Sequence, residues 1–420
     1  MGKKPWIIGG LVICIGALAV LGGSLLVGGN RHGHTVVKTA GTVAGVNMAA
    51  PEKTVEQELK AKAGENAENG PIQVTTAAVE ETETVEAQAG AEAQTEAEPT
   101  GLYQPVTLLF AGDVYFSNYV QNAYNRTGDI SGVLDDGIRQ EIADADIFMV
   151  NQEFPFTDRG EKVADKQFNF RVSPKWVSAL KEMDVDLVTL ANNHILDYGQ
   201  QGLLDSCDTL NEAGIAYVGG GRDLDEAKKL VTMEAGGRTI GFLGTSRVYM
   251  DGSWAAGAGH PGVFSTYDPS LAIEEIKKAR EQCDYLVIYV HWGIERNTEP
   301  ESYQRSMGQA YIDAGADLVV GSHPHVLQPV EAYKDKTIAY SLGNFVFGSS
   351  IPKTALLTVE WDGEDALLRL VPGTSSGGYT RRLEDEGEKA GFYQYITSIS
   401  YGVTVGEDGI VAPVEEKAAE

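Results

Sequence analysis

The sequence is poor in cysteine, and its few cysteines form no recognisable motif. Only three occur in 420 residues, at Cys14, Cys207 and Cys283, with no CxxC pair and no zinc-finger spacing. We therefore predict neither a disulfide framework nor a cysteine-ligated zinc. A single Cys207–Cys283 bridge is the alternative, and it is not favoured because a disulfide requires close and specific geometry.

Basic residues are also scarce relative to acidic ones. Lys and Arg total 33 against 60 Asp and Glu, which gives a formal net charge of −27. A surface of that sign repels the phosphate backbone, so we predict no nucleic-acid partner. The charge favours solubility and does not indicate a particular fold.

Residues 31–101 lack aromatic side chains and offer no sustained apolar face. The stretch 78–101, AVEETETVEAQAGAEAQTEAEPTG, consists mostly of Ala, Glu and Thr. Such a composition cannot bury enough apolar surface to offset the entropy lost on ordering. We predict a disordered acidic linker over residues 29–101.

The N-terminus contains one long uncharged apolar run, at residues 6–28, preceded by Lys3 and Lys4. Its length suits a membrane-spanning helix, which needs about 20 residues, and exceeds the roughly 7–15 residues of a signal-peptide core. We predict a cytoplasmic N-terminus at 1–5 and a single-pass anchor at 6–28, which place the C-terminal domain outside the cytoplasmic membrane. A long signal peptide cleaved near residues 41–50 is the alternative.

From Val106 onward, short apolar runs alternate with helix-like stretches. Seven runs fit buried strands: VTLLFAG, DIFMVNQ, VDLVTLA, RTIGFLGT, DYLVIYV, ADLVVG and TIAYSLG. Strands that alternate with helices are typical of an α/β domain with a mostly buried sheet. We assign this domain to residues 102–350.

Local signals mark one helix start and a change of pattern after residue 350. Asp268 fits an N-cap before Pro269 at the first helical position. Further on, Asp362-Gly363 fits the turn of a β-hairpin. A second run at 391–405, GFYQYITSISYGVTV, suggests more strands. We therefore predict a β-rich extension and tail over 351–420.

Five of the seven apolar runs end in side chains suited to metal binding. These are Asp113; Asn151 and Glu153; Asn192, Asn193 and His194; His291; and Ser322, His323 and His325. In open α/β sheets ligands bind at the carboxyl ends of strands, so strands of one direction would bring these groups to one edge. Each residue alone has a structural explanation; Asn192 and Asn193, for example, would hydrogen-bond loop backbone. Four histidines and two carboxylates at corresponding strand ends instead predict a shared metal site.

His323 and His325 flank Pro324 at the end of one of these runs. A proline favours an extended backbone at the residue before it. Residues i and i+2 of an extended segment point to the same side. We therefore expect both imidazoles to face one site through strand alternation.

Six motifs, in this order, resemble the CapA family of capsule-synthesis proteins, which belongs to the calcineurin-like metallophosphoesterase superfamily. They are GDV (112–114), NQEFPFT (151–157), LANNHILDYG (190–199), HWGIE (291–295), GSHPHVLQPVE (321–331) and SLGNF (341–345). The resemblance covers roughly residues 105–350. It implies a role in bacterial poly-γ-glutamate synthesis and a metallophosphatase-like β-sandwich flanked by helices, with four layers in the order αββα.

The resemblance also implies a ligand set for one or two divalent ions, with Mn, Zn or Fe as candidates. The implied ligands are Asp113, Glu153, Asn193, His291, His323 and His325. His194 would act beside the substrate phosphate, as a proton donor or by stabilising the transition state, with Asp197 as a partner behind it. The superfamily has a histidine where this chain has Tyr115, and an aspartate where it has Glu153, so one nitrogen ligand is missing.

Two functional interpretations stay open. The first is a membrane-tethered accessory of capsule polymer synthesis or export, with membrane-bound polymer synthase subunits and the anionic polymer as partners. The second is an active metal-dependent hydrolase at the cell surface, of phosphoesterase or nucleotidase type, acting on a phosphoester substrate.

Overall fold

The computed structural model describes residues 103–414. The predicted N-terminus at 1–5, anchor at 6–28 and linker at 29–101 lie outside the described residues, as does the end of the tail at 415–420. Among the described residues, none of the helices combines the length and the apolar character needed to span a bilayer.

Residues 103–414 form eight α-helices and 18 β-strands. The helices are α1 (Asn118–Thr127), α2 (Asp136–Ala143), α3 (Val177–Glu182), α4 (Gly199–Ala213), α5 (Leu224–Ala227), α6 (Ser270–Arg280), α7 (Ser302–Asp313) and α8 (Glu386–Ile399). The first nine strands are β1 (Val106–Val114), β2 (Ile147–Gln152), β3 (Leu187–Thr189), β4 (Ala216–Val218), β5 (Gly220–Gly221), β6 (Val231–Ala235), β7 (Arg238–Ser246), β8 (Gly262–Val263) and β9 (Tyr285–His291). The other nine are β10 (Leu318–Ser322), β11 (Val330–Tyr333), β12 (Lys336–Ala339), β13 (Asn344–Val346), β14 (Ser350–Trp361), β15 (Ala366–Ser376), β16 (Tyr379–Arg382), β17 (Val403–Val405) and β18 (Val411–Pro413).

Most strands belong to two large sheets. The eight-stranded sheet has the order β16-β15-β14-β1-β2-β3-β4, and β13 also pairs with β1. The six-stranded sheet has the order β11-β12-β10-β9-β7-β6. Strands β1 to β4 run parallel in the first sheet, as do β7, β9, β10 and β12 in the second. The seven predicted runs are therefore divided between two sheets instead of sharing one.

Three buried clusters define the layers. The cluster between the sheets takes alternate residues of the central strands, such as Phe110 of β1 and Val287 of β9. Their neighbours belong to the two outer clusters. Leu109 packs in the cluster that contains residues of α1 to α4, and Ile288 packs in the cluster that contains residues of α6 and α7. Because both faces of each sheet are covered, the central strands are apolar at nearly every position. The mixed α/β prediction is confirmed, and the layers follow the order helix, sheet, sheet, helix.

The C-terminal segment is part of this architecture. Strands β14 and β15 pair antiparallel on either side of Asp362-Gly363, which confirms the predicted hairpin, and β14 also pairs along β1. The expectation of strands over 391–405 is wrong for most of that run, because α8 occupies it up to Ile399 and only β17 follows. The apolar side chains of α8 recur at helical spacing and pack into the cluster between the sheets.

Two local predictions are also resolved. Pro269, and not Asp268, is the N-cap residue of α6. Asp268 still contributes to the start of the helix, because its carboxylate accepts a hydrogen bond of 2.9 Å from the backbone N–H of Ser270. Cys207 and Cys283 are both free thiols, so the alternative of a bridge between them is excluded in this structure.

Gly112, directly before Asp113, lies where two backbone segments approach closely. A Cβ at Gly112 would lie 1.8 Å from the carbonyl oxygen of Gly343, the same oxygen that accepts a 2.9 Å hydrogen bond from Asp113 N–H. A backbone oxygen cannot swing aside as a side chain can. We expect Gly112→Ala to lower the free energy of unfolding by about 1–3 kcal/mol or more, measured by urea denaturation.

Gly391→Ala is the matched control for this substitution. Gly391 is exposed in α8, and a Cβ there would meet nothing within 4 Å. Alanine is the better helix former, so this variant should gain about 0.5–1 kcal/mol. If the two variants changed stability equally, the close approach at Gly112 would not be the cause.

Candidate metal centre

Four strand ends bring polar side chains to one edge of the molecule. Asp113 of β1 is in register with Asn151 of β2, and His291 of β9 is in register with Ser322 of β10. Asn151 connects the two sheets, because its Nδ2 lies 2.8 Å from Asp113 Oδ1 and 3.3 Å from His291 Nδ1. The carboxyl ends of both parallel sets therefore meet at one site.

Glu153 lies at the middle of this group and is fully buried. Its Oε1 is 3.5 Å from His291 Nε2, and its Oε2 is 3.8 Å from His325 Nδ1. Asp113 Oδ2 lies 3.2 Å from the same His325 nitrogen. Within residues 103–414, neither oxygen of Glu153 accepts a hydrogen bond. A buried carboxylate in that state is unfavourable unless a cation or a proton compensates it.

The two asparagines after β3 have different roles. The side-chain oxygen of Asn192 accepts hydrogen bonds from the backbone N–H groups of His194 (3.1 Å) and Ile195 (3.0 Å), so it holds the turn. Asn193 instead directs its Oδ1 to within 2.9 Å of His291 Nε2. The structural explanation therefore applies to Asn192, while Asn193 joins the cluster.

His323 completes the set. Its ring centre is 4.7 Å from that of His291 and 6.0 Å from that of His325. Its Nδ1 is buried and makes no hydrogen bond within the described part of the chain. All six side chains predicted as metal ligands therefore lie in one cluster.

The backbone around Pro324 is not extended, contrary to the prediction. The φ angles are +99° at His323 and +57° at His325, a region that non-glycine residues rarely adopt and that carries a strain of about 1–3 kcal/mol per residue. The carbonyl oxygen of Pro324 accepts a 2.7 Å hydrogen bond from Arg296 N–H, which helps to hold this turn. The two imidazoles therefore meet the cluster through a tight turn and not through strand alternation.

Burial and neighbouring charges shift the pKa values of the cluster. Burial first, and then the Asp113 carboxylate, raise the pKa of Glu153 well above its usual range. Burial first, and then neighbouring imidazoles, lower the pKa values of His291 and His323 well below theirs. Burial also disfavours the charged form of His325, but Glu153 and Asp113 outweigh it and raise the pKa of His325 to about 10. His291 and His323 are thus held neutral, which is the form of imidazole that binds metals, whereas His325 would release its proton on binding one.

The donor set fits a divalent cation. Glu153 with His323 and His325 forms one group of three donors, and Glu153 with Asp113 and His291 forms another. Within each group the donor atoms lie within 4.8 Å of one another. Imidazole nitrogens combined with carboxylate and amide oxygens suit first-row transition ions. Glu153 belongs to both groups, so the arrangement suits one ion or two.

His194 and Asp197 form a buried pair beside this cluster. His194 Nδ1 lies 2.7 Å from Asp197 Oδ2. A carboxylate can only accept, so this contact places a proton on Nδ1 and leaves Nε2 for another partner. Phe170 fixes the pair, since its ring stacks on His194 at a centre distance of 3.9 Å and its N–H donates to Asp197 Oδ2 at 2.6 Å. Burial lowers the pKa of His194, and the Asp197 hydrogen bond opposes this shift.

Lys166 is a member of the site that the sequence analysis missed. Its ammonium donates to the Asp197 carboxylate and to the backbone oxygen of Asn193, and lies 3.1 Å from His194 Nδ1. Burial lowers the pKa of Lys166, while Asp197 opposes the shift. The residue comes from an irregular loop between β2 and α3. No periodic pattern or motif marks that loop, so no sequence signal distinguishes this lysine from a surface one.

Tyr115 packs among aromatic rings. Its ring stacks on Phe170 at a centre distance of 4.1 Å and packs against Phe154 and Phe347 at 6.1 and 5.5 Å. The position implied to carry a histidine in the superfamily is therefore part of an aromatic wall behind His194.

Comparison with known proteins places this geometry in a family. The family model described as bacterial capsule synthesis protein PGA_cap matches residues 107–349 of this chain. Every side chain of the cluster lies in that range. The PGA biosynthesis protein CapA of Bacillus subtilis is 36% identical over 255 residues, covering 59% of this chain and 65% of that protein. The capsule biosynthesis protein CapA of Bacillus anthracis is 31% identical over 305 residues, covering 70% of this chain and 73% of that protein.

Similarity to solved structures is more distant. A phosphatase from Mycoplasma pneumoniae aligns with a TM-score of 0.38 and 16% identity, over 66% of this chain and 91% of that protein. A TM-score this low supports no conclusion about activity. The family match instead covers more than half of the chain, and the Bacillus anthracis relative aligns over more than two thirds of its own length. The chain belongs to the bacterial capsule synthesis protein PGA_cap family.

Proposed function

We propose that this chain is a membrane-anchored, extracytoplasmic accessory protein of poly-γ-glutamate or capsule polymer synthesis or export. The names of its Bacillus relatives, PGA biosynthesis and capsule biosynthesis protein CapA, support the pathway. The basic start and the apolar run at 6–28 support the anchor. Its partners in this proposal are the cytoplasmic membrane, membrane-bound polymer synthase subunits and the anionic polymer.

We also propose that the protein works through a divalent metal centre. The observation that carries this proposal is the buried Glu153, whose two oxygens and whose neighbour His323 Nδ1 lack hydrogen-bond partners within residues 103–414. The residues that would hold the metal are Asp113, Glu153, Asn193, His291, His323 and His325. A bound divalent ion supplies Lewis acidity for the hydrolysis of a phosphoester or a related bond.

A second candidate function, hydrolytic turnover of a phosphoester, is favoured by the His194–Asp197 pair. Asp197 holds the His194 proton on Nδ1, and Phe170 fixes the ring plane, so Nε2 is oriented for proton transfer with a bound substrate. Lys166 in turn holds the Asp197 carboxylate and the Asn193 backbone. This arrangement suits a cell-surface phosphoesterase or nucleotidase, and it is compatible with an accessory role.

Complementation tests the accessory function. In bacterial cells from which the gene for this protein has been deleted, the full-length wild-type protein should be recovered in the membrane fraction and should restore capsule polymer. Glu153→Gln preserves size but removes the shared carboxylate, so we expect polymer yield to fall about ten-fold or more at equal protein level. His260→Ala, outside the cluster, should restore polymer fully. If Glu153→Gln restored the wild-type polymer yield, the metal-dependent role would be refuted. If loss of the protein changed growth but left the amount of polymer unchanged, the accessory function would be refuted.

A further inference from the structure

A cavity of about 220 Å³ adjoins the candidate metal centre. His325 and Asn344 line it, and His325 also contacts Asp113 and Glu153 of the centre. Asn344 Oδ1 lies 2.8 Å from His325 Nδ1, which is the nitrogen 3.2 Å from Asp113 Oδ2. The cavity and the metal centre therefore share a wall.

A β-bulge contributes another part of the lining. The register of β14 against β15 shifts between Ile351 and Thr354, which leaves Pro352 and Lys353 outside the regular ladder. In a regular strand these neighbours would face opposite sides, yet both are exposed and both line the cavity. Bulges re-aim side chains and are frequent beside active sites, and a proline fits a position with no ladder hydrogen bond.

Lys353 supplies a positive charge to this cavity. Its Nζ lies 4.9 Å from the centre of the Tyr395 ring, which also lines the cavity. Tyr395 belongs to α8 and packs against the cluster between the sheets, so the platform under the ammonium is fixed. Among residues 103–414, no carboxylate pairs with Lys353.

The lining indicates the chemistry of an occupant. Val326, Leu327 and Ile351 offer apolar contacts for methylene groups, and one ammonium provides a single counter-ion. A single ammonium balances the one negative charge of a carboxylate but leaves the roughly −1.5 to −2 charge of a phosphate monoester partly uncompensated. The volume is below the roughly 300–1,000 Å³ of a site for a drug-sized ligand, so it suits one short arm of a larger molecule.

We propose that this cavity is a substrate subsite that binds a carboxylate on a short aliphatic arm, with Lys353 as its counter-ion. The assignment of that arm to the substrate of the metal centre rests on the proposed function. Lys353 and Tyr395 lie beyond residue 349, the end of the family match, so the C-terminal segment determines this specificity.

Calorimetric titration of the full-length protein with glutarate tests the subsite. Glutarate should bind, and the neutral glutaramide should bind about five-fold more weakly or worse. Lys353→Met keeps the aliphatic stem and removes the charge, so it should lose the same factor for glutarate. Lys334→Met is the matched control, because Lys334 also lies over a tyrosine ring, Tyr333, at 5.3 Å but does not line this cavity. It should bind glutarate as the wild type does.

Equal glutarate affinity in wild type and Lys353→Met, or no saturable binding up to roughly 50 mM, would overturn the proposal. Metal content measured on the same samples distinguishes failure of the subsite from failure of the metal centre. Lys353-dependent binding in protein that holds no metal would support the subsite and refute the proposed metal centre. If γ-glutamylglutamate bound more tightly than glutarate, and did so through Lys353, the carboxylate arm would belong to a polymer chain. If it bound more weakly than glutarate, the arm would belong to a small molecule.

Discussion

Full-length protein carrying His291→Ala should retain less than about a tenth of the divalent metal bound by the wild type. His291 is completely buried, and its Nε2 lies 2.9 Å from Asn193 Oδ1 and 3.5 Å from Glu153 Oε1. Loss of a group that merely supports a ligand weakens metal binding by about 10–100-fold, and loss of a direct donor should cost no less. Mass spectrometry of metal per chain after dialysis measures the effect.

His260→Ala is the matched control for this prediction. His260 contacts Gln200 through its Nε2 at 3.0 Å and lies outside the cluster. It should therefore keep the wild-type metal content. Equal and negligible metal in wild type, His291→Ala and His260→Ala would contradict the metal centre. Thermal unfolding of each variant checks that His291→Ala is folded when its metal is measured.

His194→Ala should lower the turnover of a chromogenic phosphodiester by about 10²–10⁴-fold while metal content stays unchanged. The expectation follows from the geometry of the pair, because Asp197 occupies His194 Nδ1 and Phe170 holds the ring, which leaves Nε2 oriented for proton transfer. His194 is not among the six proposed ligands, so the metal should remain. Initial rates with added Mn²⁺, at matched metal content, measure the effect.

Two outcomes would contradict this role. If His194→Ala kept wild-type turnover, His194 Nε2 would take no part in proton transfer with the substrate. If the variant lost metal in proportion to its rate, His194 would act on the metal site instead. Absence of turnover by the wild type on a broad ester panel would favour an accessory whose centre serves binding alone.

The central strands were predictable because both of their faces are buried. Runs such as VTLLFAG and DYLVIYV correspond to β1 and β9, whose alternate residues fill two different clusters. The short strands β4, β5 and β8 were missed because none of them lies in an apolar run long enough to show periodicity. The run at 391–405 was read as strands because its β-branched and aromatic residues favour them. Packing of α8 against the core overrides that preference.

The candidate site was predictable where strand ends deliver a side chain directly, as for Asp113 and His291. It was not predictable where tertiary contacts of a loop set the geometry. Lys166 reaches the site from a loop without a pattern, and the turn at His323 and His325 adopts a backbone that Pro324 does not favour locally. The division of the strands between two sheets could not be predicted from the hydrophobic pattern either, because a single apolar run does not specify which strand it pairs with.

An anomalous-scattering structure of the full-length protein crystallised with Mn²⁺ tests the metal centre most directly. We expect one or two strong anomalous peaks, each bordered by Glu153 and by nitrogens from the His291, His323 and His325 group. Absence of any peak there at full Mn²⁺ loading, with the Glu153 carboxylate satisfied by protein donors or water instead, would contradict it.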